Sequence, residues 1–169
     1  LELEKAPESI IMIGGGYISA EYSHFFASMG SDVTVLQRNN RIVPDEEPEI
    51  SELLERNMKD RMDVHTNTEV VEVRKDGNEY VVIGEDTDSG EKSEYRAEKL
   101  MVATGRRSNA DLLKVENTGV ETDKRGYIKV NEYMETSKDK IWALGDIIGK
   151  QMFKHVANRE AQMAWHNSI

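Results

Sequence analysis

The chain has 169 residues, 38% of them hydrophobic, a formal net charge of −10 and no cysteine. That length and apolar content suit one domain of ordinary size, or one domain with a piece of another, and exclude a disordered chain. The acidic balance, with no basic stripe, excludes a nucleic-acid-binding module, and the missing thiols exclude a disulfide scaffold, a thiolate metal site and a cysteine nucleophile on this chain.

In chain order, "LELEKAPES" has neither the cationic start nor the apolar core of a signal peptide, and no initiator methionine. Nothing approaches the roughly twenty apolar residues of a membrane span. The expectation is a cytoplasmic chain with no membrane partner, read also as an excised fragment. Ile10–Ile13, β-branched and apolar, predicts a buried strand. Tyr17–Met29 places Ile18, Tyr22, Phe25, Phe26 and Met29 at helical spacing, with Gly30 as a C-cap. "DVTVLQR" (32–38) is a second strand. Strand, helix, strand within about thirty residues makes a βαβ unit and so a parallel sheet.

Asp45 is placed to cap a helix with Ile50, Leu53, Leu54 and Met58 on its apolar face, and "MDVHT" (62–66) is a third strand. "EVVEVRK", "NEYVVIGE" and "KSEYRAE", divided by "DG" and "DSG", predict a three-stranded antiparallel meander. That interruption argues against a doubly wound methyltransferase sheet. "KLMVATG" (99–105) returns to the parallel sheet. Residues 106–138 are looser, with turns at "NTG" and "KRG". "DKIWALGD" (139–146) predicts another buried strand, and 153–167 a helix with Val156, Ala157, Ala161, Ala164 and Trp165 inward. The four histidines are scattered and show no metal-ligand spacing.

Gly14-x-Gly16 stands between a strand and a helix, where bare backbone admits a pyrophosphate to amides at a helix N-terminus. The third position of that fingerprint is Ser19, still small enough for close packing of helix on strand. An NAD-type site would carry an acid at the end of the second strand. Gln37 stands there instead, followed by Arg38 and Arg41, and guanidinium groups suit a 2′-phosphate. NADP(H) in preference to NAD(H) is the expectation; two solvated surface arginines are the plainer alternative.

"GGGYISAE" resembles the second nucleotide-binding signature of the pyridine nucleotide–disulfide oxidoreductases, which include dihydrolipoyl dehydrogenase and glutathione, mycothione and mercuric reductases. "RIVPDEEPEI" (41–50), "ATGRRSN" (103–109) and "TSKDKIWALGD" (136–146) agree with the family in order. "FKHVANREAQMAWHN" is closer to mycothione reductases, whereas "RIVPDEEPEI" favours a dihydrolipoyl dehydrogenase-like enzyme. The resemblance implies a Rossmann-like FAD/NAD(P)-binding α/β fold, with helices on one face of the parallel sheet and the meander as crossover. It implies an NAD(P)-binding domain over 1–107 and an incomplete C-terminal part of the FAD-binding domain over 108–169.

It also implies site roles. Tyr17 covers the flavin until nicotinamide displaces it, and Glu21 lies near the hydride-transfer position. The nucleotide is held at Gly14, Gly15, Gly16, Tyr17, Ile18, Glu21, Gln37, Arg38, Arg41, Val70, Ala103, Thr104, Gly105 and Arg106. FAD runs along Gly145, Asp146, Met152, Phe153 and His155. Each position has a plainer reading: Val70 as strand core, Glu21 as a solvated helical carboxylate, His155 as a local hydrogen-bonding group. The implied chemistry passes hydride between NAD(P)H and FAD, and electrons to a redox disulfide. The implied partners are the remaining FAD domain and a dimerisation domain, in a homodimer. The fragment alone is expected to be inactive and to lose FAD. A stand-alone dinucleotide-sensing module remains the reading from another class.

Overall fold

The computed structural model describes residues 3–169. The chain divides into two compact units, one ending at Gly105 and the other running from Arg106 to Ile169.

The first unit is built on a parallel four-stranded sheet in the order β3–β2–β1–β7, where β1 is Ser9–Ile13, β2 Asp32–Leu36, β3 Asp63–His65 and β7 Lys99–Val102. The helix α1 (Tyr17–Ser28) joins β1 to β2, and α2 (Pro48–Lys59) joins β2 to β3. A three-stranded antiparallel sheet, β4 (Thr68–Asp76), β5 (Glu79–Asp86) and β6 (Lys92–Ala97), is inserted before β7.

Alternation along β1 explains why the central sheet is apolar on both faces. Ile10 and Met12 pack with Val33, Val35, Phe26 and Met58 on the helical side. Ile11 and Ile13 pack with Leu36, Val82 and Ala97 on the meander side. The expected α/β architecture is therefore present, with helices on one face and the meander on the other.

Three local expectations change in this unit. The face of α1 that meets the sheet carries Ser19, Ser23 and Phe26, whereas Ile18, Phe25 (53% exposed) and Met29 point to solvent. Close approach of helix to strand selects small residues there, so bulk is displaced to the outer side. The end of α1 behaves as expected: Gly30 adopts φ +90°, its N–H donates to Ala27 O, and Ser31 N–H donates to Phe26 O. In α2, Asp45 is not the cap; Glu47 holds that position and Pro48 opens the helix. Ser51 and Met58 are buried there, while Ile50 and Leu53 are exposed.

The second unit has a small core of Ala110, Val120, Ile128, Met134, Ala143, Ile148 and Ala164. The "NTG" and "KRG" turns are present, with Gly119 at φ +73° and Gly126 at φ +81°. Residues 139–146 do not form a strand. They make one isolated bridge, Glu135 to Trp142, and run into a 3-10 turn at Gly145–Ile148. No continuous strand lies beside them in this unit to supply a ladder. The helix α3 (Lys154–Ser168) is present, with Glu160 and Ala164 buried and Trp165 70% exposed, so the inward face is rotated from the one expected.

Candidate functional site

Parallel strands and their following helices open a groove at the carboxyl edge of the sheet. In the first unit that groove has a volume of ≈ 320 Å³ and is lined by Gly14–Gly16, Gln37–Asn39, Pro44, Asp45, Thr68–Val70 and Ala103–Gly105. Gly14 has φ +103°, and a Cβ built on it would lie 2.5 Å from the Ala103 carbonyl oxygen. Gly16 is the N-cap of α1, without a side-chain cap, and a Cβ there would meet nothing within 4 Å. The helix therefore opens onto the groove with no side chain of its own turned back to accept from its first-turn amides.

The segment after β2 is locked onto this loop. Val43 N–H donates to the Gly15 carbonyl at 2.7 Å, and Ser51 Oγ donates to Val43 O at 3.1 Å. Val43 is buried and β-branched yet holds φ +42°, a conformation costing of the order of 1–3 kcal/mol that its surroundings impose. Gln37 is buried; its Nε2 donates to the Arg41 carbonyl at 3.0 Å. Arg41 does not line the groove: its guanidinium reaches the Pro44 carbonyl at 3.5 Å. Of the two arginines, only Arg38 stands at the groove, 3.8 Å from the Glu69 carboxylate.

Tyr17 opens α1, and its hydroxyl donates to Glu46 Oε1 at 2.6 Å. That hydrogen bond, aided by burial and by the charges of Glu46 and Asp45, pushes the Tyr17 phenol up to about 12. Ile18 and Glu21 are exposed on the same helix.

In the second unit, Arg106 Nη1 donates to the Met152 carbonyl at 2.7 Å and lies 3.3 Å from Asp146. These residues line a second cleft with Arg107, Ser108, Asn109 and Ile147. Gly145 has φ +74°, and its N–H donates to Glu160 Oε2 at 2.7 Å. The rings of Phe153 and His155 stack 5.6 Å apart.

A bare glycine loop, an uncapped helix and an ordered Gly-Asp turn coincide here with a family profile. That of the pyridine nucleotide-disulphide oxidoreductases matches residues 1–164. The chain belongs to this family. It is 34% identical over 166 residues to a dihydrolipoyl dehydrogenase of Haloferax volcanii, covering 97% of the chain and 35% of that protein. It is 37% identical over 172 residues to a mercuric reductase of Streptomyces lividans, covering 100% and 35%, and 34% identical over 169 residues to a mycothione reductase of Mycobacterium tuberculosis, covering 100% and 36%. The Escherichia coli HOCl-induced flavoprotein disulfide reductase RclA, solved as a Cu(II) complex, superposes with a TM-score of 0.86 at 27% identity, over 96% of the chain and 36% of that structure. The chain thus spans about a third of the length of these relatives.

Pyridine nucleotide-disulphide oxidoreductase membership does not explain every groove residue. Asn39, Pro44, Asp45, Thr68 and Glu69 line it without being assigned to it from the sequence, because the path of the β2–α2 connection and the placement of the start of β4 depend on tertiary packing. Glu46 and Glu160 are not legible either, because their partners, Tyr17 and Gly145, stand 29 and 15 positions away in the chain. Among the described residues, no helix is long and apolar enough to cross a membrane.

Proposed function

We propose that the groove at the mouth of α1 binds a nicotinamide dinucleotide, NADPH in preference to NADH, and that the chain serves as the nucleotide-binding part of an FAD-dependent disulfide oxidoreductase of dihydrolipoyl dehydrogenase-like type. The observation that carries the reading is the contrast at the glycine loop. Gly16 leaves the helix start bare on the groove side, whereas Gly14 is required by the backbone itself. A pyrophosphate supplies the acceptors that an uncapped helix start lacks, in the favourable field of the helix dipole.

Other residues take their roles from that seat. Arg38, just past the end of β2, is the contact for a 2′-phosphate. Val70 and Ala103–Gly105 form the groove walls. Tyr17 shields the nicotinamide position and turns aside for it, releasing Glu46. Glu21, one helical turn further, stands on the same side of α1 and supports hydride transfer. In the second unit, Gly145, Asp146, Met152, Phe153 and His155 present a turn and ring pair that fit part of an FAD site, with Arg106 steadying the Asp146 carboxylate. Flavin, when bound, supplies the two-electron acceptor for the nicotinamide hydride. The redox disulfide, the remaining FAD domain and the dimerisation domain belong to the whole enzyme, a cytoplasmic homodimer in this proposal.

Titration of the chain with NADPH and NADH, followed by reduced-nicotinamide fluorescence, tests the reading. Arg38→Glu is expected to weaken NADPH binding by about tenfold or more, the loss of a charge-assisted phosphate contact, and to change NADH binding far less. Equal or tighter NADH binding by the unaltered chain refutes the preference, and failure to bind either nucleotide refutes the site.

A further inference from the structure

Where the dinucleotide-binding pattern calls for an acid at the end of β2, this chain has the amide of Gln37. The groove nevertheless contains a carboxylate at that end, delivered from β4. Backbone bonds fix it there: Thr68 N–H donates to the Gln37 carbonyl at 2.9 Å, and Asn67 N–H donates to the Asn39 carbonyl at 3.0 Å. The residues that follow each partner of the first bond, Arg38 and Glu69, therefore stand beside one another at the rim, 3.8 Å apart, with side chains 68% and 52% exposed. Both line the groove. Across the β4–β5 ladder, Glu69 faces Glu85, whose carboxylate is paired with Lys92 at 3.4 Å, so Glu69 is the carboxylate that acts on Arg38.

We infer that Glu69 is a specificity-determining residue, which opposes the 2′-phosphate of NADP(H) at Arg38 and accepts from the adenosine ribose hydroxyls of NAD(H), so that it narrows the preference set by Arg38. The inference rests on the nucleotide site proposed above. Arg38 cannot serve Glu69 and a phosphate equally: a phosphate close to its guanidinium also lies close to the Glu69 carboxylate. At about 4 Å, like unit charges in water repel enough to shift an equilibrium about fivefold. A phosphate monoester carries close to two charges, and salt screening brings the net effect to about tenfold.

The test uses the 169-residue chain and Kd values for NADPH and NADH, with 2′,5′-ADP and 5′-AMP as competitors that isolate the adenosine end. Glu69→Gln is expected to raise the NADPH-over-NADH preference about tenfold, and the 2′,5′-ADP-over-5′-AMP preference by a similar factor. The gain should shrink as sodium chloride is raised. Arg38→Gln should lower both preferences. Because both side chains are exposed, all variants should melt like the parent, and a Glu69→Asp variant should behave like the parent in binding. Unchanged preferences in Glu69→Gln, or a uniform loss for all four ligands, overturn this inference and leave the site intact. A chain that binds none of the four overturns the site and this inference together.

Discussion

Adding one methyl group to each glycine of the loop should give three different proteins. In Gly14→Ala the new Cβ meets backbone only: Ala103 O at 2.5 Å, Ala103 C at 2.9 Å and Thr104 Cα at 3.2 Å, at φ +103°. The left-handed conformation alone costs of the order of 1–3 kcal/mol. The clash must also push the exit of β7 from β1, where Ala103 N–H donates to Ile13 O at 2.8 Å. A loss of about 3 kcal/mol or more is expected, a large part of a domain's 5–15 kcal/mol and enough to lower Tm by more than about 10 °C. In Gly15→Ala the contacts are side chains, Ile42 Cδ1 at 2.8 Å and Gln37 Cδ at 2.9 Å, which can move at a cost of about 1–3 kcal/mol. Gly16→Ala meets nothing within 4 Å and has an ordinary φ of −80°. It should cost no more than about 1 kcal/mol, the difference between glycine and alanine at an N-cap. Its methyl group nevertheless stands where the proposed pyrophosphate would approach the backbone, so NADPH affinity should fall by at least about tenfold. Urea melts read the first effect and nucleotide fluorescence the second. Parent-like NADPH binding by Gly16→Ala would refute the pyrophosphate seat, and a parent-like melt for Gly14→Ala would refute the strand geometry.

Four further outcomes follow from single contacts. Glu160→Ala strands the buried Gly145 N–H and should destabilise the second unit by about 2–3 kcal/mol, with Glu160→Gln milder; both tryptophans, Trp142 and Trp165, lie in that unit, so their fluorescence reports its unfolding. Tyr17 should ionise near pH 12 rather than 10, seen as the difference in tyrosinate absorbance between the parent and Tyr17→Phe, and Glu46→Gln should bring the midpoint down. Since the folded value is the raised one, the Tyr17 contribution to stability is complete below about pH 10 and is lost as pH rises through about 12; a midpoint unmoved by Glu46→Gln refutes the pairing. Ser19 Oγ is fully buried and has no hydrogen-bond partner among the described residues, so Ser19→Ala should stabilise by about 1 kcal/mol, and a destabilised variant would refute that reading. The purified chain should be colourless and should not oxidise NADPH with lipoamide, because Asp146, proposed above to meet FAD, is exposed and the chain has no cysteine; flavin absorbance or turnover would overturn that expectation.

The sequence by itself determined the βαβ start, the meander and the glycine loop, because each is written in short-range terms: strand alternation, helical spacing, and glycines where a backbone must turn or be approached. The first strand could be placed from the four residues Ile10–Ile13, one short of its observed span, and the need for glycine at position 14 followed from a turn between strand and helix. Tertiary structure alone decided the rest. Which face of α1 is buried depends on how closely the helix lies to the sheet, and that distance put Ser19 and Ser23 inward and Phe25 outward. Residues 139–146 had the composition of a strand but, in this unit, no neighbour to share a ladder. Arg38 and Arg41 look equivalent in a string; the Gln37 side chain and the Pro44 carbonyl hold Arg41 out of the groove. Glu69 came beside Arg38 through a backbone bond between residues 31 positions apart, and long-range bonds of that kind leave no periodic trace in a sequence.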